Sequence, residues 1–113
     1  MNGEDLNFQI LRHLERKPDM TQRELAAALG ISVGRVNNCV HALIGKGLIK
    51  ARNFRNNRNK RAYLYKLTPQ GLTEKAALTL RFIRRKEVER QNLLQEIEAL
   101  RAEVQTEPAE HGA

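Results

Sequence analysis

Tryptophan is absent, cysteine occurs once, and two tyrosines and three phenylalanines complete the large aromatics of this 113-residue chain. A core built under that shortage must be aliphatic, from Leu, Ile, Val and Ala. The single cysteine, Cys39, cannot close an internal disulfide, so a small stapled scaffold is excluded. It falls on the edge of an apolar helix face and reads as a small structural hydrophobe. No apolar run approaches the roughly 20 residues needed to cross a bilayer, so no membrane partner is expected. Met1-Asn2-Gly3-Glu4-Asp5 is acidic and lacks the basic-then-apolar order of an export signal. The expected compartment is the reducing cytoplasm. His13, His41 and His111 are scattered without the spacing of metal ligands. A Gly-rich phosphate loop and a nucleophile–base pair are both missing. No catalytic residue, metal or cofactor is therefore expected, and the chain does not read as an enzyme.

What is abundant is positive charge, and it is concentrated. Residues 1–31 hold 4 basic and 5 acidic side chains, net −1; residues 32–86 hold 14 and 1, net +13; residues 87–113 hold 2 and 7, net −5, which together give the chain's +7. Glu74 is the lone acid of the middle segment. Such one-sided charge repels itself on folding and calls for a polyanion. Nucleic acid is the leading candidate, because neutralising phosphates supplies most non-specific affinity.

Apolar spacing outlines the elements. Leu6, Ile10, Leu11 and Leu14 fit a helix over 5–16, ended by Lys17-Pro18-Asp19. Thr21-Gln22-Arg23-Glu24 is a capping box that opens a second, short helix through Leu25, Ala26 and Leu29. Gly30 suits its left-handed stop. Ser32 caps a third helix, to about Gly45–Gly47, with Val33, Val36, Val40, Leu43 and Ile44 on one face. Leu48–Phe54 and Arg61–Leu67 read as two strands of a hairpin, joined by the polar stretch Arg55–Lys60. Thr68-Pro69 then starts a helix that meets no breaker before Pro108. It spans about 37 residues, or about 55 Å. The predicted fold class is mainly α with a small β-wing. A winged helix-turn-helix DNA-binding domain occupies 1–68, a long dimerisation helix 69–105, and a disordered tail 106–113.

The unit that carries function is Thr21–Ile44: a capped helix, a Gly turn, and a second helix held at an angle that lets its outer face enter a major groove. Gly34, Arg35, Asn37, Asn38 and His41 lie opposite the apolar positions. They are the expected base readers, since Arg pairs bidentately with guanine and Asn with adenine. Simple solvation of a polar face does not predict Arg, Asn and His without one acid. The hairpin tip carries Arg55, Asn57, Arg58, Lys60 and Arg61, a basic finger suited to the minor groove or backbone. Thr21, Gln22 and Ser32, at the helix starts, are expected on phosphates.

These motifs resemble a known family. Thr21-Gln22-Arg23-Glu24-Leu25-Ala26, Leu29-Gly30-Ile31-Ser32, Gly47-Leu48-Ile49 and Leu67-Thr68-Pro69-Gln70-Gly71 are similar to the MarR group of bacterial regulators. The nearest likeness is to its short members linked to exopolysaccharide (EPS) synthesis. The resemblance covers roughly residues 6–86 and implies a winged helix that represses transcription from a DNA operator. The family's wing carries Asp-Arg-Arg before its second strand, where this chain has Asn59-Lys60-Arg61, without the acid. Larger members build their dimer from an N-terminal and two C-terminal helices, often around a small-ligand pocket; here one C-terminal helix stands in their place, and an effector stays unknown.

The long helix has its own seam. Leu72, Ala76, Thr79, Ile83, Lys86, Arg90, Leu93, Ile97, Leu100 and Val104 alternate at steps of four and three, a heptad pattern. Leu72–Ile83 is expected to pack back on its own domain. Ile83, Leu93, Ile97, Leu100 and Val104 are expected to dimerise the chain. Leu at d with β-branched residues at a favours two parallel strands, with Glu96 and Arg101 paired between chains; an antiparallel pair stays open. A homodimer sets two reading helices on two halves of a palindrome. Two other readings use the same features: an architectural nucleic-acid binder without base reading, and a winged-helix adaptor that docks a protein.

Overall fold

A computed structural model describes residues 2–54 and 62–106. The order is α1 (Gly3–Arg16), α2 (Gln22–Leu29), α3 (Val33–Gly45), β1 (Ile49–Phe54), β2 (Ala62–Leu67) and α4 (Pro69–Thr106). Two compact units divide the chain, Met1–Leu80 and Arg81–Ala113. The first therefore extends twelve residues beyond the boundary at 68 expected from sequence, because the start of α4 packs with the core.

Each start signal in the sequence acts as a cap. Asn2 Oδ1 accepts from the Asp5 amide at 2.7 Å, which begins α1 two residues before the expected position. Thr21 and Glu24 complete both halves of the capping box. Gly30 ends α2 in the left-handed region, at φ 67°, where an L side chain would be strained. Ser32 Oγ accepts from the Arg35 amide at 3.1 Å and opens α3.

The core of the first unit is aliphatic, as the composition requires. Leu6, Ile10, Leu11 and Leu14 of α1 meet Leu25, Val36, Val40, Leu43 and Ile49, all at most 1% exposed. Among the described residues Phe8 and Tyr65 are the buried aromatics. The hairpin is antiparallel, with Ile49 opposite Leu67 and Ala51 opposite Tyr65. It is tied to the helices by the Tyr65 amide, which donates to the Pro18 carbonyl at 2.9 Å. Lys75 Nζ reaches Glu15 Oε1 at 2.6 Å and links α4 to α1.

Helices α3 and α4 are joined at one compact corner. Gly47, at φ 72°, turns the chain out of α3 into Leu48. The Thr68 hydroxyl donates to the Gly47 carbonyl at 2.6 Å and accepts from the Gly71 amide at 2.9 Å. The Thr68 amide donates to the Leu48 carbonyl at 3.0 Å. Gly71 lies so close that a Cβ on it would collide with the Leu48 carbonyl oxygen. Only hydrogen fits there.

That approach sets the rotation of α4 and overturns one expectation. The side of α4 turned to the core carries Gly71 and Leu78, both buried, with Glu74 and Lys75 half-buried. Leu72, Ala76 and Ile83, expected to pack back on the domain, are exposed, Leu72 by 49% and Ile83 by 46%. The heptad seam and the core-facing stripe are different faces of one helix. Helix α4 also includes Thr106, one residue past its expected end; the rest of the expected tail lies outside the described residues.

Two glycine substitutions should have opposite effects on thermal stability. Gly71→Ala forces the Leu48 backbone away and should lower stability by roughly 1–3 kcal/mol. Gly34→Ala meets nothing within 4 Å and should raise it by up to about 1 kcal/mol through helix propensity. Denaturation of both variants by circular dichroism checks the contrast.

Candidate nucleic-acid interface

The site is built around α3. Only Gly30, Ile31 and Ser32 separate it from α2, and the Ile31 amide closes the turn on the Ala26 carbonyl at 3.1 Å. So short a link fixes the angle between the two helices. The inner face of α3 buries Val36, Val40 and Leu43. Its outer face presents Gly34, Arg35, Asn38 and His41 to solvent, with Asn37 and Cys39 half-buried at its edges. All five expected base readers thus lie away from the core on one helix.

Val33 departs from its expected place. Periodicity sets it above Val36 and Val40, yet it is 44% exposed. It is the first residue of α3, and the core begins one turn further in. An exposed valine therefore stands beside Gly34 and Arg35 at the N-terminal end of α3. The signal in the sequence was its position directly after the Ser32 cap.

The helix starts hold the expected phosphate contacts in defined states. Thr21 Oγ1 accepts from the Glu24 amide at 3.0 Å. Its hydroxyl hydrogen, like that of Ser32, can still be donated outward. Gln22 also fastens α2 to β2, its Nε2 donating to the Tyr65 hydroxyl at 3.3 Å. Glu24 is held below the usual carboxylate range by the Lys17 ammonium, which donates to it at 3.1 Å, and by the Thr21 amide. The same contact raises Lys17. Glu24, in the first turn of α2, is thereby paired with a cation of the same unit.

Electrostatics reinforce the geometry. No acidic residue occurs between Ser32 and Thr73. On the outer face of the hairpin Lys50 and Lys66 are exposed and directly opposite each other. A like-charge cross-strand pair is destabilising, and the sequence, read segment by segment, did not reveal it. Lys46 and Arg52, also exposed, extend the basic surface. Arg55, Asn57, Arg58, Lys60 and Arg61 of the expected wing tip lie outside the described residues. Among the described residues no group of three His, Cys, Asp or Glu could hold a metal ion, and no described helix is long and apolar enough to cross a membrane.

Residues 4–50 match the family model of the winged helix-turn-helix DNA-binding domain. The chain has the winged helix-turn-helix fold. No curated protein sequence matches it, but solved structures do. The PcaV transcriptional regulator from Streptomyces coelicolor is 22% identical with a TM-score of 0.64, covering 88% of this chain and 76% of its own. The MarR family transcription regulator SP03579 is 20% identical with a TM-score of 0.59, covering 91% and 74%. MepR of S. aureus, solved as a complex with DNA, is 21% identical with a TM-score of 0.59, covering 88% and 78%. These structures share the winged-helix fold with this chain, and the expected fold class holds: mainly helical, with a two-stranded wing and a long C-terminal helix.

Lys66→Thr removes the like-charge pair at a strand position that favours β-branched residues. It should raise the stability of the free protein by roughly 0.2–1 kcal/mol, an increment that shrinks as salt rises. Melting curves at low and high ionic strength check both statements.

Proposed function

We propose that this protein is a sequence-specific transcriptional repressor that occupies a palindromic DNA operator as a homodimer. The observation that carries the reading is the outer face of α3, where Arg35, Asn38 and His41 are exposed, Asn37 flanks them, and no acid intervenes. Solvation alone requires a polar face; it does not require one confined to groups that donate to or pair with base edges and phosphates. Helix α3 enters the major groove, with Val33 placed to meet a thymine methyl. Thr21 and Ser32 donate to phosphates at the helix starts. The wing, residues 55–61, follows the minor groove or backbone. The likeness to PcaV, SP03579 and MepR supports the assignment to transcription regulation, and such a regulator works in the cytoplasm, where bacterial DNA lies.

The exposed seam of α4 supports the dimer. Leu93, Ile97, Leu100 and Val104 are each at least 44% exposed. So long an apolar stripe on one helix is costly in water, and a second copy covers it with the symmetry that a palindrome requires.

The test begins with duplexes selected from random DNA, followed by anisotropy titrations on selected and scrambled sequences. Selected DNA should bind at least about 10³-fold tighter than scrambled DNA. Arg35→Ala should cost about 1–3 kcal/mol on the selected duplex and relax preference at one base. Arg58→Ala should weaken all duplexes alike and flatten the salt slope by about one unit. Equal affinity for all duplexes would replace the reading with that of an architectural binder. Unchanged affinity in Arg35→Ala and Asn38→Ala would replace it with that of a protein-docking adaptor.

A further inference from the structure

The second unit consists, in its described residues, of the α4 segment 81–106. Its large aliphatic side chains are exposed, and its charge is divided along its length. Residues 81–90 hold five bases (Arg81, Arg84, Arg85, Lys86, Arg90) and two acids (Glu87, Glu89), net +3. Residues 93–102 hold Arg101 against Glu96 and Glu98, net −1. Moreover, two of the cations sit in the seam itself. In the heptad register that puts Leu93 and Leu100 at d, Lys86 is at d and Arg90 at a.

This pattern decides the direction of pairing. In a parallel, in-register pair, Lys86 meets the partner's Lys86 and Arg90 meets the partner's Arg90. Two consecutive layers of like charge then stand in the interface, between two segments that are each +3. Only Glu96 with Arg101 favours that arrangement across the pair. An antiparallel pair matches a positions with d positions, and one register satisfies the whole segment. Ile83 faces the partner's Leu100, Lys86 faces the partner's Ile97, and Arg90 faces the partner's Leu93. Every cation in the seam meets an aliphatic side chain. The stems of Lys86 and Arg90 lie along it while their charged heads reach water at the edge. The +3 segment of each chain lies against the −1 segment of the other, so opposite charges adjoin at both ends. The local pairs Lys86–Glu89 at 3.0 Å and Arg90–Glu87 at 2.6 Å keep those heads on the outside of the seam. The open apolar concavity lined by Ile97, Leu100 and Val104 then receives Ile83 and the Lys86 stem from the second copy.

We infer that the occupant of this face is a second copy of the chain running antiparallel, centred between Gln91 and Asn92. The inference rests on the homodimer reading above and adds its direction and register, which that reading leaves open.

Spin labels on exposed glutamines distinguish the cases, with Cys39→Ala removing the native thiol. Analytical ultracentrifugation of the full chain first reports its mass. Gln91→Cys, labelled, lies near the centre, and its pair of labels should be close, within about 30 Å. Gln105→Cys lies opposite position 78 of the partner, 27 residues along the helix, which places its two labels about 40 Å apart at about 1.5 Å per residue. Dipolar spectroscopy reads both distances. Short distances at both positions mean a parallel pair and overturn the inference while keeping the homodimer. Labels at Gln91 beyond about 40 Å in a dimer mean that this seam is not the interface, which overturns it too. A monomer at micromolar concentration overturns the homodimer itself. Mixing unlabelled Arg90→Cys and Leu93→Cys chains gives a second readout. Oxidation should form the mixed disulfide at least several-fold faster than either self-pair, and the reverse order overturns the register.

Discussion

The interface depends on a close backbone approach rather than on any charged group. At the corner formed by Gly47, Leu48, Thr68 and Gly71, two helices and two strands converge within one turn of chain. The Thr68 hydroxyl bonds to the end of α3 and to the start of α4 at once. Gly71 lets α4 come within contact of the Leu48 carbonyl. If this corner opens, α3 loses its C-terminal anchor and the hairpin loses its link to α4. The reading helix therefore owes its placement as much to a hydroxyl and a missing methyl as to the turn at Gly30.

Much of this was legible in the sequence because the relevant physics acts over three or four residues. Thr21 with Glu24, Gly30, Ser32, and Thr68 before Pro69 each announce a helix end through contacts made inside one turn. The outward placement of Gly34, Arg35, Asn38 and His41 was legible for a related reason: once Val36, Val40 and Leu43 face inward, the positions between them must face out. What was not legible depends on distant partners. Val33 shares the periodicity of the core but stands beyond its edge. Leu72 and Ala76 look buried until the Gly71 contact sets the rotation of α4. Lys50 and Lys66 are 16 positions apart in sequence, and only the strand register makes them neighbours.

Charge and packing are kept apart in this chain. The core holds no buried polar or charged side chain among the described residues. The basic groups stand on α3, the hairpin and α4, and nearly every acid lies outside residues 32–86. The free protein therefore carries unrelieved repulsion, best seen in the opposed lysines of the hairpin, that a polyanion would relieve. Binding energy from phosphates then arises partly from relief of strain that the fold already bears. The largely aliphatic core, with Phe8 and Tyr65 as its buried aromatics among the described residues, holds the fold against this repulsion.

The outer face of α3 has a consequence for how such a protein changes over generations. Gly34 meets nothing within 4 Å, and Arg35, Asn38 and His41 are exposed. Replacing them leaves Val36, Val40 and Leu43 untouched. Mutational drift at these few codons can therefore remodel the chemistry of this face without passing through an unfolded ancestor. Gene duplicates could diverge on this face while keeping one scaffold.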